Sequence, residues 1–127
     1  MPSRRPVRIL TVDDQAPFRE ATKRMVAGTP GFELAGESAD GASALRMARE
    51  LDPDLVLMDV RMNGMDGIET TRRLTAEDPT RVVLLVSGDD LSALSEEVRG
   101  SGAAAVLRKH WLSPRMLRGL WVALRKR

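Results

Sequence analysis

Short apolar runs alternate five times with longer amphipathic segments along this chain of 127 residues. Apolar runs of four to six residues that are bounded by polar loops are typical of fully buried parallel strands. The runs predict strands over Val7 to Val12, Phe32 to Glu37, Leu55 to Asp59, Arg81 to Val86 and Ala103 to Leu107. The second run contains Glu33, Gly36 and Glu37, which favours an edge position for its strand.

The segments between the runs have helical periodicity. They predict helices over about Ala16 to Ala27, from Asp40-Gly41 to Leu51, and over about Ile68 to Ala76, Leu91 to Arg99 and Pro114 to Leu124. Ser113 and Pro114 suit a helix start, with serine as the cap and proline at the first helical position. The first helix should turn Phe18, Ala21, Met25 and Val26 towards the core. Strand and helix alternating five times predicts one α/β domain over residues 1–127, a doubly wound (βα)5 parallel sheet with right-handed crossovers.

Composition excludes several classes of protein. The chain has no cysteine and a single histidine, which excludes disulfides, thiolate metal sites and a histidine-based zinc site within the chain. No apolar stretch approaches the roughly 20 residues that cross a membrane, and none follows the basic N-terminus as in a secretory signal. Cytoplasm is therefore the expected location. A net charge of +2 is a weak footprint for nucleic acid, so the arginine clusters at residues 4–5 and 125–127 are interpreted as solvated surface.

Polar side chains stand at or just after the ends of four predicted strands. Asp13 and Asp14 follow the first strand, Asp59 ends the third, Ser87 follows the fourth and Lys109 comes shortly after the fifth. Ligands of open α/β sheets bind at this edge of the sheet. Three carboxylates there would repel one another and need a cation, and hard oxygen ligands suit Mg²⁺. One carboxylate could act as a nucleophile, so the set predicts phosphoryl chemistry.

Each of these residues alone has a plainer interpretation. An Asp pair is common at helix caps and turns, a serine is common at a strand end, and a single lysine is usually a surface residue. The combination of all five favours a site. Trp121 is predicted to be core because it is in phase with Leu117, Leu120 and Leu124. Trp111 fits two readings equally well, a lid on the core or part of a partner surface.

The same residues carry a family resemblance along nearly the whole chain. The matching stretches are Val7 to Asp14, Asp54 to Met62, Gly64 to Gly67, Ser87, and Gly102 to Lys109. In these stretches the chain resembles the receiver domain of two-component response regulators. Two further stretches, residues 36–41 and 66–72, look most like receivers of the NarL/LuxR type. The resemblance implies a flavodoxin-like strand order of 2-1-3-4-5.

The resemblance also implies a role for each matched residue. Asp59 would accept a phosphoryl group from a sensor histidine kinase or a phosphotransfer protein. Asp14 and Asp59 would bind Mg²⁺ directly, together with the backbone carbonyl of Arg61, and Asp13 would reach the metal through water. For the phosphoryl group itself, Ser87 would donate a hydrogen bond and Lys109 would form an ion pair.

Three functions follow from different classes of protein. The leading one is a receiver that switches conformation on phosphorylation and controls a partner or output; it is no enzyme beyond its own phosphotransfer and slow autodephosphorylation. The second is the receiver half of a DNA-binding regulator whose helix-turn-helix domain is absent here, so that this chain alone would not bind DNA. The third, a metal-dependent phosphatase, needs a second aspartate at the position of Arg61, which argues against it.

The family's usual signalling face consists of the fourth helix, fifth strand and fifth helix, and a homodimer through that face is one expected partner. Receivers often carry an aromatic switch residue on the fifth strand, and the aligned residue here is Val106. Without a large ring, the coupling from Asp59 to this face should be weak.

Overall fold

The five apolar runs pair into one parallel sheet, and a helix follows each strand. The computed structural model describes residues 5–62, 64–88 and 95–125. Its elements in chain order are β1 (Val7–Val12), α1 (Ala16–Ala27), β2 (Phe32–Ser38), α2 (Gly41–Leu51), β3 (Leu55–Asp59), α3 (Gly67–Glu77), β4 (Val82–Ser87), α4 (Ser95–Arg99), β5 (Ala105–Arg108), a 3-10 turn (Lys109–Trp111) and α5 (Pro114–Leu124).

The strand order in the sheet is β2-β1-β3-β4-β5, with every neighbouring pair parallel. The predicted doubly wound fold and its 2-1-3-4-5 order are thus confirmed, and β2 lies at an edge as its charges indicate. The chain moves from β1 outwards to β2 and then crosses back to β3. This reversal leaves β1 beside β3, with their carboxyl ends at the same edge of the sheet.

Alternate side chains of the strands form two separate cores. On one side of the sheet, Leu10, Val12, Val56, Met58, Val83 and Leu85 pack with buried residues of α2 and α3. On the other side, Ile9, Leu55, Leu57, Leu84, Val86 and Leu107 pack with Val26 of α1 and Leu117 of α5. Because successive strand residues point to opposite faces, a continuous apolar run fills both cores at once.

Three strands differ from their predicted bounds. β2 extends one residue further to Ser38, which pairs with Val12. β4 begins at Val82 because the backbone N–H of Arg81 donates to the Asp78 carbonyl in a turn (3.1 Å), and this strand includes Ser87. β5 begins two residues late and runs through Arg108. The hydroxyl of Ser101 accepts a hydrogen bond from the N–H of Ala103 (3.2 Å), which keeps Ala103 in the preceding turn.

The helices follow the prediction with small shifts. Helix α3 begins at Gly67 and ends at Glu77, one residue beyond the prediction at each end. Residues 91–94, the predicted start of the fourth helix, lie outside the described residues. In α1 the prediction of Ala21 as a core residue is wrong, since Ala21 is exposed and Thr22 is buried instead. Thr22 follows Phe18 by four residues and precedes Val26 by four, so it lies at the centre of the buried stripe.

The two tryptophans have different surroundings. Trp121 is partly buried against the core beside α5, which confirms its predicted place. Trp111 is 49% exposed and belongs to neither core, so it does not cover the core as a lid. Its ring contacts the guanidinium group of Arg108 and forms a T-shaped contact with the His110 ring instead. Within the described ranges, no helix is long and apolar enough to cross a membrane.

The start of α5 provides a test of the fold. The hydroxyl of Ser113 accepts a hydrogen bond from the backbone N–H of Met116 (3.1 Å), and Pro114 occupies the first turn, as the sequence predicts. Ser113→Ala should lower the free energy of unfolding by about 1 kcal/mol, because an N–H at the helix start loses its acceptor. Chemical denaturation should show Ser113→Thr retaining most of the stability. Equal losses in both variants would show that the hydroxyl does not cap the helix.

Candidate functional site

The sheet register brings the predicted acidic residues together. Val12 of β1 pairs with Met58 of β3, so Asp13, which directly follows β1, and Asp59, the last residue of β3, lie at the same level at this edge of the sheet. Carboxylate oxygens of Asp13, Asp14 and Asp59 all lie within 4.8 Å of one another. Asp13 and Asp59 are buried and Asp14 is partly buried. The prediction that these three acids meet at the carboxyl edge of the sheet is confirmed.

Asp13 is fixed from several directions. Its backbone N–H donates to the Ser38 carbonyl (3.0 Å), and its Oδ1 accepts a hydrogen bond from the backbone N–H of Gln15 (2.7 Å). Its own carbonyl accepts from the guanidinium group of Arg19 (2.6 Å). Its Oδ2 lies 2.8 Å from the ammonium nitrogen of Lys109. Asp13 is therefore held by a hydrogen bond at one carboxylate oxygen and by an ion pair at the other.

Lys109 is the cation that faces this group of acids. It begins the 3-10 turn that follows β5, and its Nζ lies 2.8 Å from Asp13 Oδ2 and 3.6 Å from Asp59 Oδ2. The same nitrogen lies 4.4 Å from the ring centroid of Phe18 on α1. The side chain is only 18% exposed, so the charge stays within the site and partly offsets the three carboxylates.

The environment of Asp59 favours its neutral form. The surroundings of Asp59 raise the pKa of this carboxyl group from 3.8 to about 6, mainly through burial and also through the negative charges of Asp13 and, less strongly, Asp14. The Lys109 ammonium and the backbone N–H of Arg61, which is 3.4 Å from Oδ1, lower the pKa but only in part. The excess negative charge that remains on the three carboxylates would favour the binding of a cation.

Asp59 lines a cleft that opens at this edge of the sheet. The cleft has a volume of about 200 Å³, and its lining residues are Gln15, Asp59, Arg61, Ser87, Gly88 and Lys109. Ser87 ends β4 beside Arg108 of β5, and it is a buried residue that lines this cleft. The predicted hydroxyl of Ser87, the predicted nucleophile Asp59 and the predicted cation Lys109 thus line the same cleft. Gln15 and Gly88 also line it, and they were not predicted from the sequence as site residues.

The loop after Asp59 packs closely against it. The backbone N–H of Gly67, the first residue of α3, donates to the Val60 carbonyl (2.9 Å). A Cβ atom at Gly67 would overlap the carbonyl of Asp59, so only glycine allows the helix to approach this strand end. The side chain of Asp66 caps α3 by accepting from the N–H of Glu69 (2.8 Å). The helix start therefore fixes the backbone that carries Asp59.

The donor set fits a hard divalent cation. Three carboxylates within one ion's reach, one of them with a raised pKa, are oxygen ligands of the kind that Mg²⁺ takes. The Arg61 side chain is exposed and its backbone N–H faces Asp59. The role of the Arg61 carbonyl as a metal ligand stays a prediction.

Known proteins share both the sequence pattern and the fold of this chain. A family model described as the response regulator receiver domain matches residues 9–120. A protein-glutamate methylesterase/protein-glutamine glutaminase of Anaeromyxobacter dehalogenans is 42% identical over 105 residues, which are 83% of this chain and 30% of that protein. The response regulator GacA of Pseudomonas viridiflava is 37% identical over 81% of this chain and 48% of its own length.

Solved structures give the same result. The receiver domain of the putative response regulator NarL from Mycobacterium tuberculosis superposes with a TM-score of 0.87 and 30% identity, over 97% of this chain and 99% of that one. The response regulator domain of Thermotoga maritima CheB has a TM-score of 0.83 and 27% identity, over 94% and 97% of the two chains. The match covers only about 30% of the length of the methylesterase from Anaeromyxobacter and about 48% of the length of GacA, so the chain spans less than half of each of these relatives. By this sequence match, with the fold and the acidic site in agreement, the chain belongs to the receiver domains of two-component response regulators.

Proposed function

We propose that Asp59 accepts a phosphoryl group from a sensor histidine kinase or a phosphotransfer protein, and that the added charge switches the domain. One observation carries the choice of Asp59. Of the three clustered acids, it is the one that lines the cleft, whereas Asp13 is fully buried and its Oδ2 lies nearer to the Lys109 nitrogen than the Oδ2 of Asp59 does. In the transfer, an Asp59 carboxylate oxygen forms a bond to phosphorus while the bond from phosphorus to the donor's histidine nitrogen breaks, and that nitrogen keeps the electron pair.

The other residues of the cleft would stabilise the phosphoryl oxygens. Lys109 already lies beside Asp59 and needs to move little to pair with them. The Ser87 hydroxyl lines the same cleft and would donate a hydrogen bond. Mg²⁺ would be held by Asp13, Asp14, Asp59 and the Arg61 carbonyl, and when bound it supplies positive charge to the carboxylates and the phosphoryl oxygens. The chain's own catalysis would be limited to this transfer and slow loss of its phosphoryl group.

The biological output would depend on the protein or domain that this receiver controls. Relatives of this chain include regulators named GacA, DegU and LiaR as well as methylesterases, so the same receiver serves different outputs. We propose a signalling module in the cytoplasm, where its phosphoryl donor would be found. The alternative is the receiver half of a DNA-binding regulator. The third function, phosphatase action on phosphomonoesters, is disfavoured because Arg61 stands where such an enzyme would need an acid.

The first prediction concerns the acceptor. Acetyl phosphate with Mg²⁺ should add one phosphoryl group to the wild-type protein, with acetate as the leaving group. Asp59→Asn should abolish the addition because an amide is a poor nucleophile, whereas Glu50→Gln, which changes an exposed carboxylate on α2, should not. Intact-mass spectrometry measures both. Equal labelling of the wild type and Asp59→Asn would show that another residue accepts the group.

The second prediction concerns stability of the metal-free site. Because the folded-state pKa of Asp59 lies above its ordinary value, the folded protein binds this proton more tightly than the unfolded chain does. Ionising Asp59 therefore destabilises the fold. The cost is present in full above about pH 6 and vanishes below pH 3.8.

Asp59→Asn should accordingly unfold at higher denaturant concentration than the wild type in EDTA at pH 7.5, by up to ~3 kcal/mol. The difference should shrink as the pH falls from about 6 to about 4. Denaturation curves at several pH values test this, with Glu50→Gln as the control for loss of an exposed carboxylate. An Asp59→Asn variant that is less stable than the wild type at pH 7.5 would contradict the repulsion.

The third prediction concerns output. On the proposed signalling face of α4, β5 and α5, Val106 is partly buried, and Arg115 and Arg118 are exposed on α5. Since Val106 has no large ring to turn inwards, phosphorylation should shift the monomer–dimer equilibrium of this chain only slightly. Analytical ultracentrifugation with and without beryllofluoride, a phosphoryl mimic, measures the shift. A complete conversion to dimers that Arg115→Glu or Arg118→Glu abolishes would show that the face couples strongly without the aromatic residue.

A further inference from the structure

We infer that Phe18 is a positioning residue for Lys109, its ring holding the ammonium group over the acidic site. The inference rests on the proposed function, because it concerns the lysine that would pair with the phosphoryl group. From the sequence, Phe18 is only one of several apolar residues on the inner face of α1. The structure places its ring 4.4 Å from the Lys109 nitrogen, within the range of a cation–π contact.

A lysine in this position needs to be held. Its ammonium is a strongly hydrated charge on a flexible four-carbon stem, and such side chains usually extend into water. Here the Nζ has three attractive neighbours, the carboxylates of Asp13 (2.8 Å) and Asp59 (3.6 Å) and the ring of Phe18. The side chain remains only 18% exposed. The ring is the neighbour that adds no further negative charge to a site with three carboxylates.

Phe18 is itself firmly placed. Its backbone N–H donates to the Gln15 carbonyl (3.1 Å) in the first turn of α1, directly after the pair of aspartates. Its side chain is partly buried and packs against the core between the sheet and α1 and α5. One part of the ring is thus held by the core while its face meets the ammonium. The segment that carries two of the three acids therefore also carries the ring that orients their counter-charge.

The ring's neutrality has a consequence for phosphoryl transfer. Lys109 can move from the carboxylates towards phosphoryl oxygens without leaving the ring, because the cation–π attraction has no single preferred hydrogen-bond direction. Loss of the ring should leave the ammonium freer to extend into water. We expect slower phosphorylation as a result, by the factor that a partly exposed cation–π contact supports, about two- to fivefold.

The chain offers a matched control. Its two phenylalanines, Phe18 and Phe32, are both partly buried against the same core, but Phe32 lies at the start of the edge strand β2. Phe18→Leu and Phe32→Leu therefore remove the same ring from similar packing. Only the first should affect Lys109. Phe18→Tyr and Phe18→Trp keep an aromatic face at position 18 and should restore the behaviour of the wild type.

A first measurement detects the contact without any phosphoryl transfer. The chain has three lysines, so ¹³C-lysine labelling gives a simple NMR spectrum in which Lys23 and Lys126 serve as references. The Lys109 ε-protons should resonate upfield because the nitrogen next to them lies over the ring, and this shift should disappear in Phe18→Leu but persist in Phe32→Leu. An unchanged Lys109 resonance in Phe18→Leu would overturn the inference.

A second measurement tests the consequence. Phosphorylation rates with acetyl phosphate at saturating Mg²⁺ should fall about two- to fivefold in Phe18→Leu and remain unchanged in Phe32→Leu. In a Lys109→Met background, Phe18→Leu should cause no further loss, since the ring acts through the lysine. The same loss from Phe18→Leu with and without Lys109 would show that Phe18 has only a packing role.

The two proposals fail in different ways. If Asp59→Asn is labelled as well as the wild type, the proposed function is wrong, while the NMR shift still tests the contact. If the wild type is labelled at Asp59 but Phe18→Leu matches Phe32→Leu in both rate and spectrum, the positioning role alone is wrong.

Discussion

The site depends on one unfavourable arrangement, three carboxylates held within 4.8 Å of one another and faced by one ammonium group. Burial of Asp59 and the like charges beside it both penalise its ionised form, and the raised pKa of Asp59 expresses that cost, with burial as the larger cause. A cost of up to about 3 kcal/mol is a sizeable part of the roughly 5–15 kcal/mol that stabilises a domain. It persists because the two apolar cores and the sheet fix the strand ends independently of the charges. The same repulsion would be relieved by a divalent cation, for which the three carboxylates lie close enough together.

The backbone of the sheet and its loops determines where the side chains of the site lie. The pairing of β1 with β3 sets Asp13 and Asp59 at one level, and the close approach of Gly67 holds the end of β3 against the start of α3. The 3-10 turn after β5 places the Lys109 nitrogen between the acids and the ring of Phe18. Added charge on Asp59 would be met by groups that are already in place, which is how pre-organised sites reduce the cost of reaction.

Much of this arrangement could be predicted from the sequence. The five apolar runs determine the strands, and parallel strands bring residues at their carboxyl ends to one edge, so Asp13, Asp14, Asp59, Ser87 and Lys109 were expected together. The strand limits were less predictable because they depend on turn hydrogen bonds, as at Ser101, which delays the start of β5. The contact between Phe18 and Lys109 could not be predicted, because it joins residues 91 positions apart through the packing of α1 against the turn after β5.

The raised pKa of Asp59 is the most direct measure of the central claim. Carbonyl-detected ¹³C NMR of the metal-free wild type, titrated with pH, can follow each aspartate carboxyl group, and the signal absent from Asp59→Asn identifies Asp59. The account predicts a midpoint of about 6 for this carboxyl group and a lower one when Mg²⁺ is added. A midpoint near the ordinary value of 3.8 in the metal-free protein would contradict the account, because burial and the neighbouring carboxylates would then not penalise the ionised form of Asp59.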